Sequence, residues 1–246
     1  MVFHLTTPTV GRLVLARSTH ELRWCVATVS RLGGDALAFS VVDEHIHLVT
    51  RTGDVGRQMQ RLRVGLSRRL GLGPTHVRPV ESRQHLLNVV PYALLQPRKH
   101  GLRCHPAVYE GSMAGELLGW RLNPHFDSEH LETELPRWRT ESLWPVLGFD
   151  RPPARVSRAA LQCLGPEYLR RRAEECLFAV PYAAGKVRAL VGQICGGDRR
   201  VARALGLSRR GLHRARERDV PEAHVRALAL RVAIDHAVLR GAGLPE

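Results

Sequence analysis

Apolar residues are grouped into four short segments of the first third of the chain that have the composition of β-strands. Val2 to Thr9, Ala36 to Asp43, His45 to Thr50 and His76 to Val80 are short, largely apolar and rich in β-branched residues, which is typical of strands. The acidic pair Asp43-Glu44 separates the middle two segments. These two segments are therefore predicted to form an antiparallel hairpin.

Apolar residues recur every three to four positions in three further segments, which predicts helices. The first helix runs from Thr19 to Leu32, and Ser18 and Glu21 before and within it have the spacing of a capping box. The second runs from Asp54 to Leu70 and the third from Ser82 to Gln96. The element order predicts an α+β fold, a ferredoxin-like antiparallel sheet with packed helices of the split βαβ kind.

The last third of the chain is predicted to be all helical. Its segments are separated by Gly, Pro or Ser, and they begin near Ser157, Pro181, Asp198, Ser208 and Pro221. A stretch rich in proline and acidic residues precedes them. The predicted organisation is a catalytic-type α+β domain over residues 1–122, a linker over 123–156 and a helical domain over 157–246.

Positive charge changes this picture by indicating a polyanionic partner. The net charge is +14, and the sequence pI is about 10.9. Residues 151–246 alone contain 19 basic and 9 acidic side chains, a net charge of +10. Because every neutralised phosphate releases a counterion, such an excess favours nucleic acid.

Composition also indicates the cellular setting that we expect. No apolar run approaches the ~18 residues of a membrane span, and the first residues lack a signal-peptide pattern. The five cysteines are scattered and odd in number, which predicts free thiols in a reducing compartment. We therefore expect a soluble, cytoplasmic, nucleoid-associated protein with no membrane partner, as a monomer or homodimer.

His45 and His47 are two residues apart in a predicted strand. Side chains at i and i+2 point to the same face, so both imidazoles can reach one ion while Ile46 points into the core. The alternative is a pair of unrelated histidines in a chain that contains 13 of them. The tripeptide is a candidate metal site that needs support from elsewhere in the sequence.

Tyr92 and Gln96 are four residues apart and are predicted to share one face of the third helix. A phenol is a poor nucleophile unless something assists it, and alignment with a charge-neutralised phosphate supplies such assistance. The alternative is a core tyrosine followed by a polar residue at the end of a helix. Gln96 offers an amide oxygen as a further metal ligand.

Several motifs in one order resemble the HUH single-tyrosine transposases, especially the REP-associated tyrosine transposases and relatives of insertion sequences that move as single strands. The histidine strand is matched at Val42 to Val49, and a Met-Gln-Arg-Leu helix at Met59 to Leu62. The tyrosine motif is matched at Leu86 to Tyr92, and its amide-Pro-basic-Gly-Leu continuation at Gln96 to Leu102. The resemblance covers roughly residues 1–110.

This resemblance implies a specific chemistry. His45, His47 and Gln96 would hold Mg²⁺ or Mn²⁺, and Tyr92 would attack a phosphate of single-stranded, hairpin-containing DNA. The products would be a 5′-phosphotyrosine and a free 3′-OH, which can later rejoin new ends without ATP. The predicted DNA-binding residues of this domain are Arg57, Arg61, Arg68, Arg98 and Lys99.

The segment from Asp198 to Arg218 has the pattern of a helix-turn-helix. Gly206 occupies the turn, and eight arginines against two acidic residues make the segment strongly basic. The alternative is an ordinary helical hairpin with a solvated basic face. The residues predicted to contact duplex DNA are Arg209, Arg210, His213, Arg214 and Arg216.

Three departures from the family pattern favour another function. Only residues 71 to 83 separate the second helix from the tyrosine helix, Pro91 directly precedes Tyr92, and the pattern after Gly-Leu is reduced to Tyr109 to Ser112. The alternative is a domesticated transposase remnant that binds DNA and regulates or protects it without cleavage. A third hypothesis is an RNA-binding module with incidental histidines.

Overall fold

The computed structural model describes residues 1–67, 69–136 and 138–241, and the chain divides into two compact units. The first unit contains Met1–Leu117 and His125–Asp150. The second contains Leu118–Pro124 and Arg151–Glu246, of which residues up to 241 are described. The boundaries between the units differ from the predicted ones, because most of the expected linker belongs to the first unit.

A four-stranded antiparallel sheet organises the first unit, as the hydrophobic pattern predicts. The strand order is β2-β3-β1-β4, and every neighbouring pair is antiparallel. With one helix between β1 and β2 and another between β3 and β4, this is the split βαβ arrangement. The elements are β1 (Val2–Pro8), α1 (Thr19–Leu32), β2 (Asp35–Val42), β3 (His45–Arg51), α2 (Val55–Leu66) and β4 (His76–Pro79).

Side-chain caps explain why the helices of this unit begin where they do. At each start, an oxygen of the N-cap side chain accepts a hydrogen bond from a backbone N–H two or three residues into the helix, and such a cap contributes about 1 kcal/mol. The acceptor and donor residues are Ser18 and Glu21 for α1, Asp54 and Arg57 for α2, and Ser82 and His85 for the tyrosine helix.

Helices α1 and α2 approach each other closely. A Cβ placed on Gly65 would lie 2.3 Å from Leu32 Cδ1, so the contact requires the missing side chain. Gln58 of α2 is buried and donates hydrogen bonds to the backbone oxygen of Gly33 and to the hydroxyl of Thr50. The core of this unit therefore includes a polar link through the Gln58 nitrogen as well as apolar contacts, whereas the buried Gln58 oxygen has no hydrogen-bond partner among the described residues.

The prediction of a single helix over Ser82 to Gln96 was wrong at its C-terminal end. The structure has α3 (Arg83–Leu94) and then a separate short helix, α4 (Gln96–Lys99). Leu95, with φ −88° and ψ 2°, separates the two. Proline is well suited to the first turn of a helix and removes a donor elsewhere, so Pro97 starts α4 instead of ending α3.

The segment predicted as a linker, residues 123–156, is largely folded. It follows α5 (Ala114–Leu118) and contains α6 (Ser128–Glu134) and α7 (Leu143–Val146). Its proline and acidic content is typical of a linker, but six of its apolar residues are buried. These are Leu131, Leu135, Leu143, Trp144, Leu147 and Phe149.

Helices are the only regular secondary structure among the described residues of the second unit. It contains α8 (Arg158–Gln162), α9 (Pro166–Leu177), α10 (Ala183–Cys195), α11 (Arg199–Ala204), α12 (Arg209–Arg216) and α13 (Glu222–Leu239). Arg231 of α13 is only 2% exposed. It forms salt bridges with Glu175 of α9, at 2.8 Å between Nη2 and Oε2, and with Asp235 one turn along α13. Arg172 bridges the same two carboxylates, which makes the buried cluster electrically neutral.

No helix in the described part of the chain has both the length and the apolar character that crossing a bilayer requires.

Candidate active site

The two histidines of β3 lie on one face of the sheet. His47 is opposite Thr6 of β1 and Ser40 of β2, and Ile46, between the two histidines, is buried. The ring centroids of His45 and His47 are 6.2 Å apart. The alternation of a strand thus separates the pair of imidazoles from the apolar core.

A third histidine joins them from the neighbouring strand. His4 of β1 is two residues from Thr6, and its side chain therefore points to the same face as His47. The His4 and His47 rings stack at 5.6 Å, with His4 Nε2 and His47 Nδ1 3.4 Å apart. His4 was not predicted as a site residue, because a strand pattern does not reveal which residues of two strands are opposite each other.

Tyr92 of α3 lies against these histidines. Its ring centroid is 5.9 Å from that of His47 and 5.7 Å from that of His4, in edge-to-face geometry. Lys99 of α4 places its Nζ 4.0 Å from the centre of the tyrosine ring. Because Tyr92 is 39% exposed, it is not a core tyrosine and is accessible to a substrate.

Gln96 is buried beside this group, with 2% of its surface exposed. Its side-chain nitrogen donates a 2.9 Å hydrogen bond to the backbone oxygen of Tyr92. Although Gln96 belongs to α4 and Tyr92 to α3, this bond links the two residues. The amide oxygen, the atom that would bind a cation, is not the atom used in that bond.

His100 and Asp43 complete the other side of the group. His100 Nδ1 lies 3.2 Å from a carboxylate oxygen of Asp43, and the His100 ring is 5.9 Å from that of His45. Both residues lie within or beside matched motifs, at the end of the amide-Pro-basic segment and in the hairpin turn. Their positions in the motifs could have indicated that both residues belong to the site, but neither was predicted to have a role.

Burial determines the protonation of the two stacked histidines. It lowers the pKa of His47 to about 3, with further lowering from the nearby His4 and His45. Burial also lowers the pKa of His4 to about 4, with Arg78 contributing. Both rings are therefore neutral near pH 7, the state in which imidazole binds a metal or accepts a proton.

The residues present fit the small ligand set that the family resemblance implies. Nδ1 of His45 is buried and has no hydrogen-bond partner among the described residues, as expected for an atom reserved for a ligand. Within those residues, no three His, Cys, Asp or Glu side chains form a metal-binding group.

The predicted DNA-binding residues are exposed wherever the structure describes them. Arg57 and Arg61 lie on α2, and Arg98 and Lys99 lie on α4 beside Tyr92. Arg68 lies outside the described residues. On α12 of the second unit, the exposed residues are Arg209, Arg210, His213, Arg214 and Arg216.

Helices α11 and α12 are joined by a turn at the predicted position. Asp198 and Ser208 cap the two helices, and Gly206 has the positive φ of 61° expected of a glycine in such a turn. Val201, Leu205 and Leu212 are buried. One face of α12 therefore packs in the unit while the other presents arginines to solvent.

No protein-family model matches this chain, and no curated protein matches it. Among solved structures, it is similar to a REP-associated tyrosine transposase whose structure was determined bound to a REP hairpin. The TM-score is 0.41 and the sequence identity 14%, over 52% of this chain and 86% of the other. The site described above is therefore supported by the contacts within this chain and not by this similarity.

Proposed function

We propose that the protein cleaves single-stranded DNA with Tyr92 as nucleophile and transfers the strand through a 5′-phosphotyrosine. One observation carries the proposal: an accessible tyrosine contacts neutral, stacked histidines at 5.7 and 5.9 Å and has a lysine ammonium over its ring. Such contacts also stabilise a structural tyrosine, so the exposure of Tyr92 is what favours a reactive role. Phosphoryl transfer depends on alignment and on neutralisation of charge.

In the proposed reaction, the phenolic oxygen of Tyr92 forms a bond to phosphorus as the bond to the 3′ oxygen breaks. The phenol loses its proton, and the departing oxygen gains one to become a 3′-OH. Lys99 stabilises the negative charge that develops during attack, and the adjacent Arg98 binds a backbone phosphate. Reversal by a new 3′-OH would rejoin strands, since the phosphoester bond is retained.

His45, His47 and Gln96 would hold the divalent cation, Mg²⁺ or Mn²⁺. When bound, that ion supplies positive charge to the scissile phosphate. The chain's own contribution is to keep the imidazole of His47 neutral by burial, which lowers its pKa, and to anchor the Gln96 amide on the carbonyl of Tyr92. Imidazole ligands suit Mn²⁺ better than Mg²⁺, so we expect Mn²⁺ to be the more effective ion in solution.

The second unit would contact duplex DNA through α12, which we propose acts as the second helix of a helix-turn-helix. The support is its exposed arginine face and the glycine turn that precedes it. Contacts to phosphates would hold the protein on DNA, whereas any reading of bases would come from the same face.

The proposal is tested by trapping the covalent intermediate with the full-length protein, Mn²⁺ and a labelled library of single-stranded hairpin oligonucleotides. Wild type should give a slowly migrating protein–DNA adduct in a denaturing gel, and Tyr92→Phe should give none. Phenylalanine preserves the ring packing but removes the attacking oxygen. The matched control is Tyr109→Phe, which removes a buried hydroxyl outside the site and should retain the adduct.

Persistence of the adduct in Tyr92→Phe would show that another residue is the nucleophile. Absence of any wild-type adduct across the library, with Mn²⁺ binding demonstrated, would instead favour the DNA-binding remnant. Pro91, which directly precedes Tyr92 inside α3, is the feature that favours this second function. Pro91→Arg would then establish whether the proline disables the tyrosine.

A further inference from the structure

A cleft in the second unit lies where the start of α10 meets the segment that leads into α13. Its volume is about 340 Å³. We call it the α10 cleft, and its polar and aromatic lining residues are Tyr182, Lys186, Arg218, Asp219 and His224. None of these residues belongs to the proposed cleavage site, so the role of the cleft must be inferred from its own residues.

Two cations line the α10 cleft without forming salt bridges in the described part of the chain. Lys186 is half-buried, and Arg218 lies against Gly185, where a Cβ would be 3.0 Å from the guanidinium Nη1. The glycine therefore admits the arginine to the first turn of α10. Asp219, the acidic lining residue, is exposed and offsets one of these two charges.

The N-terminus of α10 adds to the positive potential. A helix N-terminus carries partial positive charge, which acidic side chains or a bound anion normally balance. This 13-residue helix has no acidic residue in its first turn and no side-chain cap. Lys186 and Arg218 thus occupy the end of the helix where cations are least favourable, unless an anion binds between them.

His224 provides an independent sign of a ligand. It is 6% exposed, and its buried Nδ1 has no hydrogen-bond partner among the described residues. Burial lowers the pKa of His224, and the nearby Lys186 lowers it further. Because buried polar atoms are nearly always paired, His224 is a further polar residue of the cleft lining whose hydrogen bonding the described residues do not complete.

Tyr182 lies at the mouth of the α10 cleft with 90% of its surface exposed. Its backbone is left-handed, with φ 58° and ψ 33°, a conformation that is unfavourable for a tyrosine. An exposed aromatic ring beside clustered cations is a stacking platform for a nucleobase whose phosphate is bound below.

We propose that the α10 cleft binds a nucleotide, with its phosphate between Lys186, Arg218 and the N-terminus of α10 and its base on Tyr182. A free nucleotide and the phosphorylated end of a DNA strand share this chemistry. The site does not depend on cleavage by Tyr92, so either function can fail alone.

The test is calorimetric titration of the full-length protein with deoxyadenosine 5′-monophosphate, with deoxyadenosine and inorganic phosphate as comparison ligands. The nucleotide should bind at one saturable site, and Lys186→Gln or Arg218→Gln should weaken it about tenfold or more, since each removes a charge-assisted hydrogen bond. Arg188→Gln removes an equal charge from an exposed position on the same helix and should leave the affinity unchanged. Circular dichroism would check that the variants remain folded.

Tyr182→Asn separates stacking from phosphate binding, because asparagine tolerates the left-handed backbone. It should weaken the nucleotide about fivefold or more and leave inorganic phosphate unaffected. Competition by oligonucleotides with and without a 5′ phosphate identifies the source: tighter competition by the phosphorylated strand indicates a DNA end, and failure of both strands to compete indicates a free nucleotide. Lack of saturable binding at millimolar nucleotide, or an equal loss in Arg188→Gln, would overturn the proposal.

Discussion

His45 and His47 are equivalent in the strand pattern but differ in their surroundings. The ring of His47 is buried and stacked on His4, whereas His45 borders His100 and its buried Nδ1 has no hydrogen bond, with Glu44 Oε1 3.9 Å away. Stacking holds the His47 ring in one orientation, and His45 is oriented mainly by its strand. His47 is therefore the better preorganised of the two proposed ligands.

We expect His47→Ala to weaken Mn²⁺ binding by at least the ~10–100-fold that follows even from changes outside a ligand shell. The measurement is calorimetric titration of Mn²⁺ into the full-length protein. His20→Ala, at an exposed position on α1, removes a histidine without touching the site and should retain wild-type affinity. Equal Mn²⁺ affinity in wild type and His47→Ala would exclude His47 as a ligand.

At the scale of single residues, the sequence could predict the side-chain positions that follow from spacing within one strand or helix. The period of a strand places His45 and His47 on one face, and the motif directs attention to Tyr92. His4 and His100 reach the same place through strand pairing and through the hairpin turn at Asp43, which are long-range contacts. No local pattern contains such information.

The turn between α11 and α12 depends on a single backbone conformation. Gly206 has φ 61°, and a Cβ built there would meet no atom within 4 Å. Any cost of a side chain at this position is therefore conformational and not steric. Substitution of Gly206 therefore measures how much the left-handed backbone conformation of this residue contributes to stability.

Gly206→Ala should lower the free energy of unfolding by about 1 kcal/mol, because alanine disfavours the left-handed region. Gly206→Asn should lose less, since asparagine tolerates that region. Urea denaturation of the full-length variants gives both values. A loss in Gly206→Asn as large as that in Gly206→Ala would indicate that the backbone conformation is not the cause.

At the scale of secondary-structure elements, the first residues of the helices were predicted better than the last residues. Starts are encoded by local caps such as Ser18, Asp54 and Ser208, each of which bonds a backbone N–H of its own helix. Ends depend on packing, and α2 stops at Leu66 instead of the predicted Leu70. Residues 123–156 were predicted as a linker because composition does not reveal which irregularly spaced apolar residues will be buried.

At the scale of the whole molecule, a buried charge cluster ties α9 to α13. Arg231→Met should lower the free energy of unfolding by about 3–5 kcal/mol, because Glu175 and Asp235 would keep buried negative charge that Arg172 alone cannot balance. Thermal or urea denaturation measures the change. Arg226→Met, at an exposed position on the same helix, should stay within about 0.5 kcal/mol of wild type.

Uneven charge along the chain leads to a second whole-molecule prediction. If α12 carries the duplex-binding face, converting Arg209, Arg210 and Arg214 to Gln should weaken binding and flatten its dependence on salt, by a log–log slope of up to ~3. Fluorescence anisotropy at several salt concentrations gives the slope. The same charge loss at three other exposed arginines, Arg151, Arg158 and Arg226, should change the slope less. Identical slopes for the two triple variants would indicate binding by diffuse charge.

The alternation of β3 has a consequence for how this protein can change over evolutionary time. Ile46 and Leu48 are constrained by the core, and His45 and His47 by whatever chemistry occupies the open face. A one-residue insertion or deletion within the strand would turn the histidines toward the core and the apolar side chains toward the open face. We therefore expect differences in chain length between related proteins to fall outside β3 and not within the strand.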